Sequence, residues 1–462
     1  MRQQNAYIDA EPAGPGEFGL EPDMPGQLSL YDLGEKTLVA VSTRIDTAID
    51  PFSVLDALKH NWAFFWKGKC DSFSRLMLGR VFSVNHFKDK AFAKLSAERW
   101  VCALPFESDL TRSGIKENGN LGEGCIYLPE LEVEVRSGYC ILRVRELISQ
   151  PALRVAETFD AQAFLTKQLA RYWPTLANKM PRQMSKLRGS EDLPTAGVWR
   201  NMVDDVIHAI DVSQVHKVVL SRHKKLSLDK PQKIGSLLER LSQYEEESYL
   251  FAIVHPNGDC FLGRSPEKIL AWDQNDISVD AIAGTRKRHQ ERSLEDDQEA
   301  QSLKGSRKDL IEHRFVSDYV KALLQLYADD VTAVESERIF RLRSVQHLKS
   351  SFQAKRKNNV SPYDLLVALH PTPAVGGFPK VKATAMIAAQ EPIKRGLFAG
   401  VIGLGDKIQG DFAIGIRTAF LSGDSLLLHA GAGIVRDSDA DSEWEEIELK
   451  MNNFLNLYAS KV

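Results

Sequence analysis

"DFAIGIRTAFLSGDSLLLHAGAGIV", residues 411–435, reads as a β-hairpin: two apolar, strand-forming runs meet at Gly423-Asp424, a dipeptide suited to a tight turn. "SYLFAIVHPNGDCFLGRSPEKIL", residues 248–270, repeats the pattern and folds back at Pro256-Asn257-Gly258. In "CIYLPELEVEVRSGYCILRV", residues 125–144, two strand-like runs join at Arg136-Ser137-Gly138. Hairpins thus outnumber strand–helix alternations. This predicts an α+β fold with antiparallel sheets and flanking helices, not a doubly wound parallel sheet. Helices are expected over residues 161–180, from Asp296 to Tyr327 as one long element, and after Ser442 as N-cap, with Glu445 closing a capping box.

Outward from these elements the chain divides into three parts. Residues 1–27, rich in Pro, Gly and acid, predict a mobile lead-in. Residues 28–195 form the N-terminal part of the α+β fold, and residues 196–462 carry the sharper motifs. No repeat of fixed short period is visible. The formal net charge of -3 over 462 residues, without a long basic run, argues against nucleic acid or an acidic membrane as the main partner. Five cysteines, Cys70, Cys102, Cys125, Cys140 and Cys260, form no CxxC pair and predict reduced thiols of a cytoplasmic protein. No apolar run is long enough to span a membrane, and the polar N-terminus lacks a signal-peptide core. A soluble, intracellular monomer is the expectation.

Ionisable residues in apolar settings are the candidates for chemistry. In residues 430–452, Trp444, Ile447, Met451, Phe454 and Leu455 form one apolar helix stripe. Glu445 and Glu448 point away from it as solvated charges. Glu443, Glu446 and Lys450 flank it, where unpaired charge costs free energy unless a cation or an anionic ligand binds. Glu312 lies near the apolar stripe of its own helix and supplies another oxygen ligand if the two helices meet, as Mg²⁺ requires; alone it reads as an edge glutamate. Glu267, after Pro266, is either a helix start or a carboxylic acid held at a strand end. Lys217 heads the apolar run "KVVLSR" and is either an edge-protecting charge or an inward-facing base. Arg417 falls mid-strand in an apolar alternation and needs an anion, structural or ligand. His347 in "SVQHLKS", and the glycines of "AIAGTR" and "HPTPAVGGFP", are individually explained by turns and core packing.

Taken in order, "KVVLSR", "GRSPE", "IAGTR", "KDLIEH", "QHL", "LHPTPAVGGFPK", "AIGIR" and "AGAGIV…SEWEE…K" resemble the motifs of the chorismate-utilising enzymes, most nearly their isochorismate synthase branch. The resemblance runs over residues 200–460 and is looser before them. It implies large antiparallel sheets packed as a central sandwich with helices outside. It also implies an isomerase that adds water at ring carbon 2 of chorismate and expels the 4-hydroxyl. Glu312 and Glu446 would hold Mg²⁺, with Glu443 reaching it through water. Lys450 and the backbone at Gly284 and Thr285 would face the ring carboxylate. Arg417 and the Gly431 backbone would hold the enolpyruvyl carboxylate, with His347 also in the substrate site. Lys217 would be the base and Glu267 the acid.

Within the resemblance, ammonia-using relatives carry Gln at the place of Lys217, and one of them a Lys at the place of Ala283. Salicylate synthases carry Thr and Tyr where Ala374 and Phe398 stand. The residues present favour water as nucleophile and isochorismate as product. Salicylate synthase is the alternative; an ammonia-using synthase component and a silent chorismate-binding protein stand further off. Whether the product feeds menaquinone, a siderophore or salicylate is not written in the chain.

Overall fold

Strands with alternating buried apolar residues need a partner sheet, and here two large antiparallel sheets supply each other's. The computed structural model describes residues 27–69, 71–107, 124–149, 159–212, 215–244, 247–289 and 293–459. The expected lead-in, apart from Gln27, and Cys70 lie outside these residues. Among the described residues one sheet has 13 strands and the other nine. The first runs from Gln27–Asp32 through Ala63–Lys67, Tyr249–Val254, Cys260–Ser265, Thr418–Ser422, Ser425–Ile434 and Lys217–Leu228 to Leu187–Leu193. The second runs from Ala328–Arg341 through Val345–Arg356, Asp276–Lys287, Lys268–Asp273, Gln409–Ile414 and Val401–Gly405 to strands before residue 130. Both therefore draw on early and late parts of the chain, and one apolar core takes residues from both. The α+β, antiparallel expectation is met.

The two expected hairpins form, with Tyr249 paired to Ser265 and Thr418 to His429. The long runs around them do not stay in one sheet. The chain leaves the first sheet after Ser265 and enters the second at Lys268; it leaves the second after Ile414 and re-enters the first at Thr418. These two crossings lie side by side. The Ile414 amide donates to the Glu267 carbonyl at 3.0 Å, and the Arg264 amide donates to the Arg417 carbonyl at 3.1 Å. Arg417 is thus not mid-strand as expected. It occupies the crossing with φ +55°, a left-handed conformation unusual for a residue other than glycine. Alternation alone conceals a sheet change, because the period of two persists on both sides of the break.

Other differences have equally local causes. "CIYLPELEVEV" is two strands, Cys125–Leu128 and Leu131–Val135, in different sheets. Pro129 between them has no amide hydrogen to continue a ladder. The long helix is broken into Leu294–Gly305 and Arg307–Tyr327, because Ser306 is extended and its hydroxyl accepts from the Asp309 amide. The last helix, Ala440–Tyr458, is capped by Asp439, not Ser442: the Asp439 carboxylate accepts from the Ser442 amide at 2.9 Å. Its apolar stripe packs as expected. Glu448, however, is ion-paired with the fully buried Arg222, whose guanidinium lies 3.5 Å above the Trp444 ring. The charge expected in solvent neutralises a buried arginine.

Candidate active site

The paired crossings, the first strand of the second half and two helices converge on one cleft. It is lined by Glu267, Ala283, Gly284, Thr285, Glu312, His347, Ala374, Phe398, Arg417, Gly431 and Lys450, among others. Its volume is about 70 Å³. Small-molecule sites usually hold roughly 300 Å³ or more, so the lining side chains leave this cleft narrow.

Lys217 begins its strand opposite Phe378 and is fully buried, so it is not an edge-protecting charge. Its Nζ lies 3.0 Å from Glu312 Oε1, close enough to pair but not aligned as a hydrogen bond. Gly433 makes this approach possible: a Cβ there would stand 2.4 Å from Glu312 Oε1 and 2.8 Å from Lys217 Cε. Glu267 does not start a helix. It sits in the crossing between two strands, 3% exposed. Among the described residues, its Oε1 has no hydrogen-bond partner. Burial first, then the charge of Asp280, outweigh Lys69, Lys217 and Lys450 and push its pKa up to about 8. A carboxyl group in a cationic cleft is therefore protonated at neutral pH.

Arg417 and His347 form a unit. Gly284, at φ +71°, lies where the strand register shifts between Ala283 and Thr285, and its carbonyl meets His347 Nδ1 at 3.0 Å. A carbonyl only accepts, so Nδ1 carries the hydrogen. Nε2 is then the lone-pair side and accepts from Arg417 Nη2 at 2.9 Å. Burial, followed by the charges of Arg417 and Lys450, holds His347 well below its ordinary pKa, which keeps this neutral tautomer. Both ring nitrogens have protein partners; His347 acts on the cleft by fixing the guanidinium. Lys450 spans the wall, donating to the Gly431 carbonyl at 2.9 Å and to Glu446 at 2.6 Å.

Glu443 and Glu446 stand behind Lys450 instead of lining the cleft. Glu443 accepts from Lys308 Nζ and from Ser438 Oγ, each at 2.7 Å. Burial, then the neighbouring charge of Glu446, raise its pKa above the usual carboxylate range despite Lys308. Burial disfavours the Lys308 ammonium, but Glu443, Glu312 and Glu446 together outweigh that and raise its pKa. Among the described residues no three His, Cys, Asp or Glu side chains form a ready ligand set for a metal. Each of these carboxylates is closed on an ammonium: Glu312 on Lys217, Glu443 on Lys308 and Glu446 on Lys450. The donors are all oxygen, and three carboxylates act on one lysine. That chemistry fits a hard divalent cation, which would replace the ammonium contacts.

Residue patterns had not singled out Lys308 or Arg395. Lys308 stands one turn before Glu312 on the same helix, so K-x-x-x-E was the available signal. Arg395 lines the cleft, is buried, and donates to the carbonyls of Val375 and Val219. In "EPIKRG" nothing marks it except a glutamate four residues earlier, with which it pairs.

Residues 96–458 match the family described as "Chorismate binding enzyme". The chain is 33% identical over 260 residues to the isochorismate synthase MenF of Bacillus subtilis, covering 56% of this chain and 55% of that one. It is 34% identical over 267 residues to the isochorismate synthase EntC of Escherichia coli K12, covering 58% of this chain and 68% of that one. The first match thus spans little more than half of that relative. The solved structure of MenF, the menaquinone-specific isochorismate synthase from Escherichia coli, superposes with a TM-score of 0.77 at 23% identity, over 93% of this chain and 96% of that one, which is a likeness of fold. No helix among the described residues is long and apolar enough to cross a membrane.

Proposed function

We propose that this chain, which belongs to the chorismate-binding enzyme family, is an isochorismate synthase. The observation that carries the reading is Glu267: a buried carboxyl with pKa about 8, in the same cleft as Arg417 and Lys450 and close to Lys217. Proton donation to a poor leaving group such as hydroxide requires a protonated acid at working pH, and few buried carboxyls qualify. Two fixed cations suit a substrate bearing two carboxylates. Arg417, locked by His347, takes the enolpyruvyl carboxylate together with the Gly431 backbone. Lys450, with the backbone at Gly284 and Thr285, faces the ring carboxylate. Lys217, parted from Glu312, takes a proton from the water that attacks ring carbon 2. Glu267 gives its proton to the departing 4-hydroxyl, which leaves as water. Ala374 and Phe398 line the cleft without adding a hydroxyl, which favours release of isochorismate over a further elimination.

Glu312, Glu446 and, through water, Glu443 are the residues that would hold Mg²⁺. When bound, the cation would supply positive charge against the ring carboxylate. The chain's own part is to bring three carboxylates together and to release them from Lys217, Lys308 and Lys450.

The direct test is incubation of the purified chain with chorismate, with and without Mg²⁺, and chromatographic identification of the product. Isochorismate in the presence of Mg²⁺, and no turnover in EDTA that is reversed by added Mg²⁺, is the expected outcome. Salicylate with stoichiometric pyruvate would replace the reading with salicylate synthase. Anthranilate formed with ammonia would overturn the role of Lys217, and full activity in EDTA would overturn the metal.

A further inference from the structure

We infer that His429 is a positioning residue for the substrate: its imidazole backs the Phe398 ring and holds that ring in place as the flat wall of the cleft. The inference rests on reading the cleft as the site of a ring acid. Among the described residues, Phe398 is the one hydrocarbon ring that lines the cleft. It stands in a turn over residues 395–400, where its amide donates to the Arg395 carbonyl at 3.0 Å and the Gly400 amide to the Leu397 carbonyl at 3.1 Å. The next residue, Ala399, takes φ +58°, a left-handed conformation that a residue other than glycine keeps only where its surroundings fix it. A wall built on such a turn needs support from outside the turn.

The first sheet supplies it. His429, Gly431 and Gly433 fall at every second position of the strand Ser425–Ile434, so they share one face. The two glycines line the cleft, and His429 is the side chain next to this bare stretch. Its ring lies 5.4 Å from that of Phe398, centre to centre, with the planes 15° apart. His429 is fixed in turn by rings from two other strands. His223, directly opposite on Lys217–Leu228, meets it edge-on at 5.0 Å, and Phe261 of Cys260–Ser265 lies at 6.1 Å. Burial, followed by the neighbouring His223, holds the His429 pKa well below its ordinary value, so the imidazole stacks as an uncharged ring. Arg395 completes the grip: its guanidinium lies 5.7 Å from the Phe398 ring centre while it donates to the Val375 and Val219 carbonyls. A wall ordered before the substrate arrives takes nothing from the binding energy to order it.

The experiment measures KM and kcat for chorismate with Mg²⁺, and chorismate binding by calorimetry, in the wild type, H429A, H429F, F398A and the F398A/H429A double variant. H429A lets the Phe398 ring swing back, so KM and Kd should rise about tenfold. The kcat should stay within about twofold, because a wall touches ground state and transition state alike. H429F keeps a flat ring and should restore the wild-type KM. Since His429 acts through Phe398, H429A should add nothing further once Phe398 is gone. Unchanged KM and Kd in H429A, equal losses in H429A and H429F, or effects that multiply in the double variant overturn the proposal. Mere loss of core packing lowers the melting temperature and the folded fraction without raising Kd. Should H429A not fold, H429L, which fills the space without a flat face, takes its place: a raised Kd is expected, and an unchanged one overturns the proposal. The wild-type product decides the other reading separately. Salicylate or anthranilate in place of isochorismate changes the reaction assigned to the cleft, while the KM and Kd comparisons still test His429. A wild type that neither binds nor converts chorismate overturns both.

Discussion

Glu132 and Glu267 are both buried glutamates next to several cations, yet their proton affinities move in opposite directions. Glu132 belongs to a network in the first half of the chain. Arg145 donates to it at 2.8 Å and to Glu98 at 2.7 Å, Arg143 also donates to Glu98, and Arg99 pairs with Glu132. Burial alone would raise Glu132, but the charges of Arg99 and Arg145 outweigh it and bring its pKa down to about 2. Glu98 is likewise held well below the usual carboxylate range, burial being overcome by Arg145 and Arg143. At Glu267 the cations are lysines that do not hydrogen-bond to it, and Asp280 stands closer in effect than any of them. Direct hydrogen bonds to arginine make a carboxylate structural. Cations held back by another carboxylate leave a carboxylic acid. Burial by itself distinguishes neither.

Breaking each region should therefore give different losses. E267Q preserves shape but removes the transferable proton, so turnover should fall by roughly two to four decades in a chorismate assay. Binding measured by calorimetry should persist. Near-normal turnover would make Glu267 a mere strand connector. In the other region, R145L leaves Glu98 and Glu132 buried and under-paired and should cost about 3–5 kcal/mol of stability by urea unfolding. The activity of each folded molecule should be unchanged; a specific loss of turnover would join that network to the site.

The same contrast appears in the pH dependence of stability, with opposite sign. Between the ordinary value of 4.5 and about 8, native Glu267 keeps a proton that the unfolded chain has released. Stability therefore falls as pH rises through that window. E267Q should be more stable than the wild type at pH 8, by about 1–3 kcal/mol, and the gain should vanish by pH 4. Glu132 works the other way: its contribution is present above 4.5 and is lost as pH falls toward about 2. In E132Q the deficit should thus be largest at neutral pH and should shrink in acid, as read by thermal melts across pH. The smallest effect belongs to a pair outside both regions. Arg200 and Asp441 form an ion pair with both side chains more than half exposed, so R200A should shift stability by less than about 0.5 kcal/mol.

Much of this was legible in the residues. Hairpin turns at Gly258 and Gly423, and the apolar stripe of the last helix, are local signals and led to the right class of fold. The apolar alternation marks Arg417, and the strand end after Pro266 marks Glu267, but neither pattern shows that the chain changes sheets there. A crossing is a long-range event: the same alternation serves either sheet, and only tertiary pairing selects one. The environment of Glu267 was hidden for the same reason. Lys69, in the turn after a strand of the first sheet, and Asp280, on a strand of the second, are 211 residues apart, so no spacing rule connects them. Helix phase places Glu448 in solvent because it shows only which residues face the helix's own stripe, whereas its partner Arg222 lies on a distant strand.

The most direct measurement is an infrared difference spectrum, wild type minus E267Q, taken across pH 5 to 9. Glu267 is expected to contribute a protonated carboxylic-acid carbonyl band that persists through neutral pH and bleaches with a midpoint near 8. Absence of that band at neutral pH, with Glu267 already a carboxylate, would contradict the account that this cleft holds a proton donor.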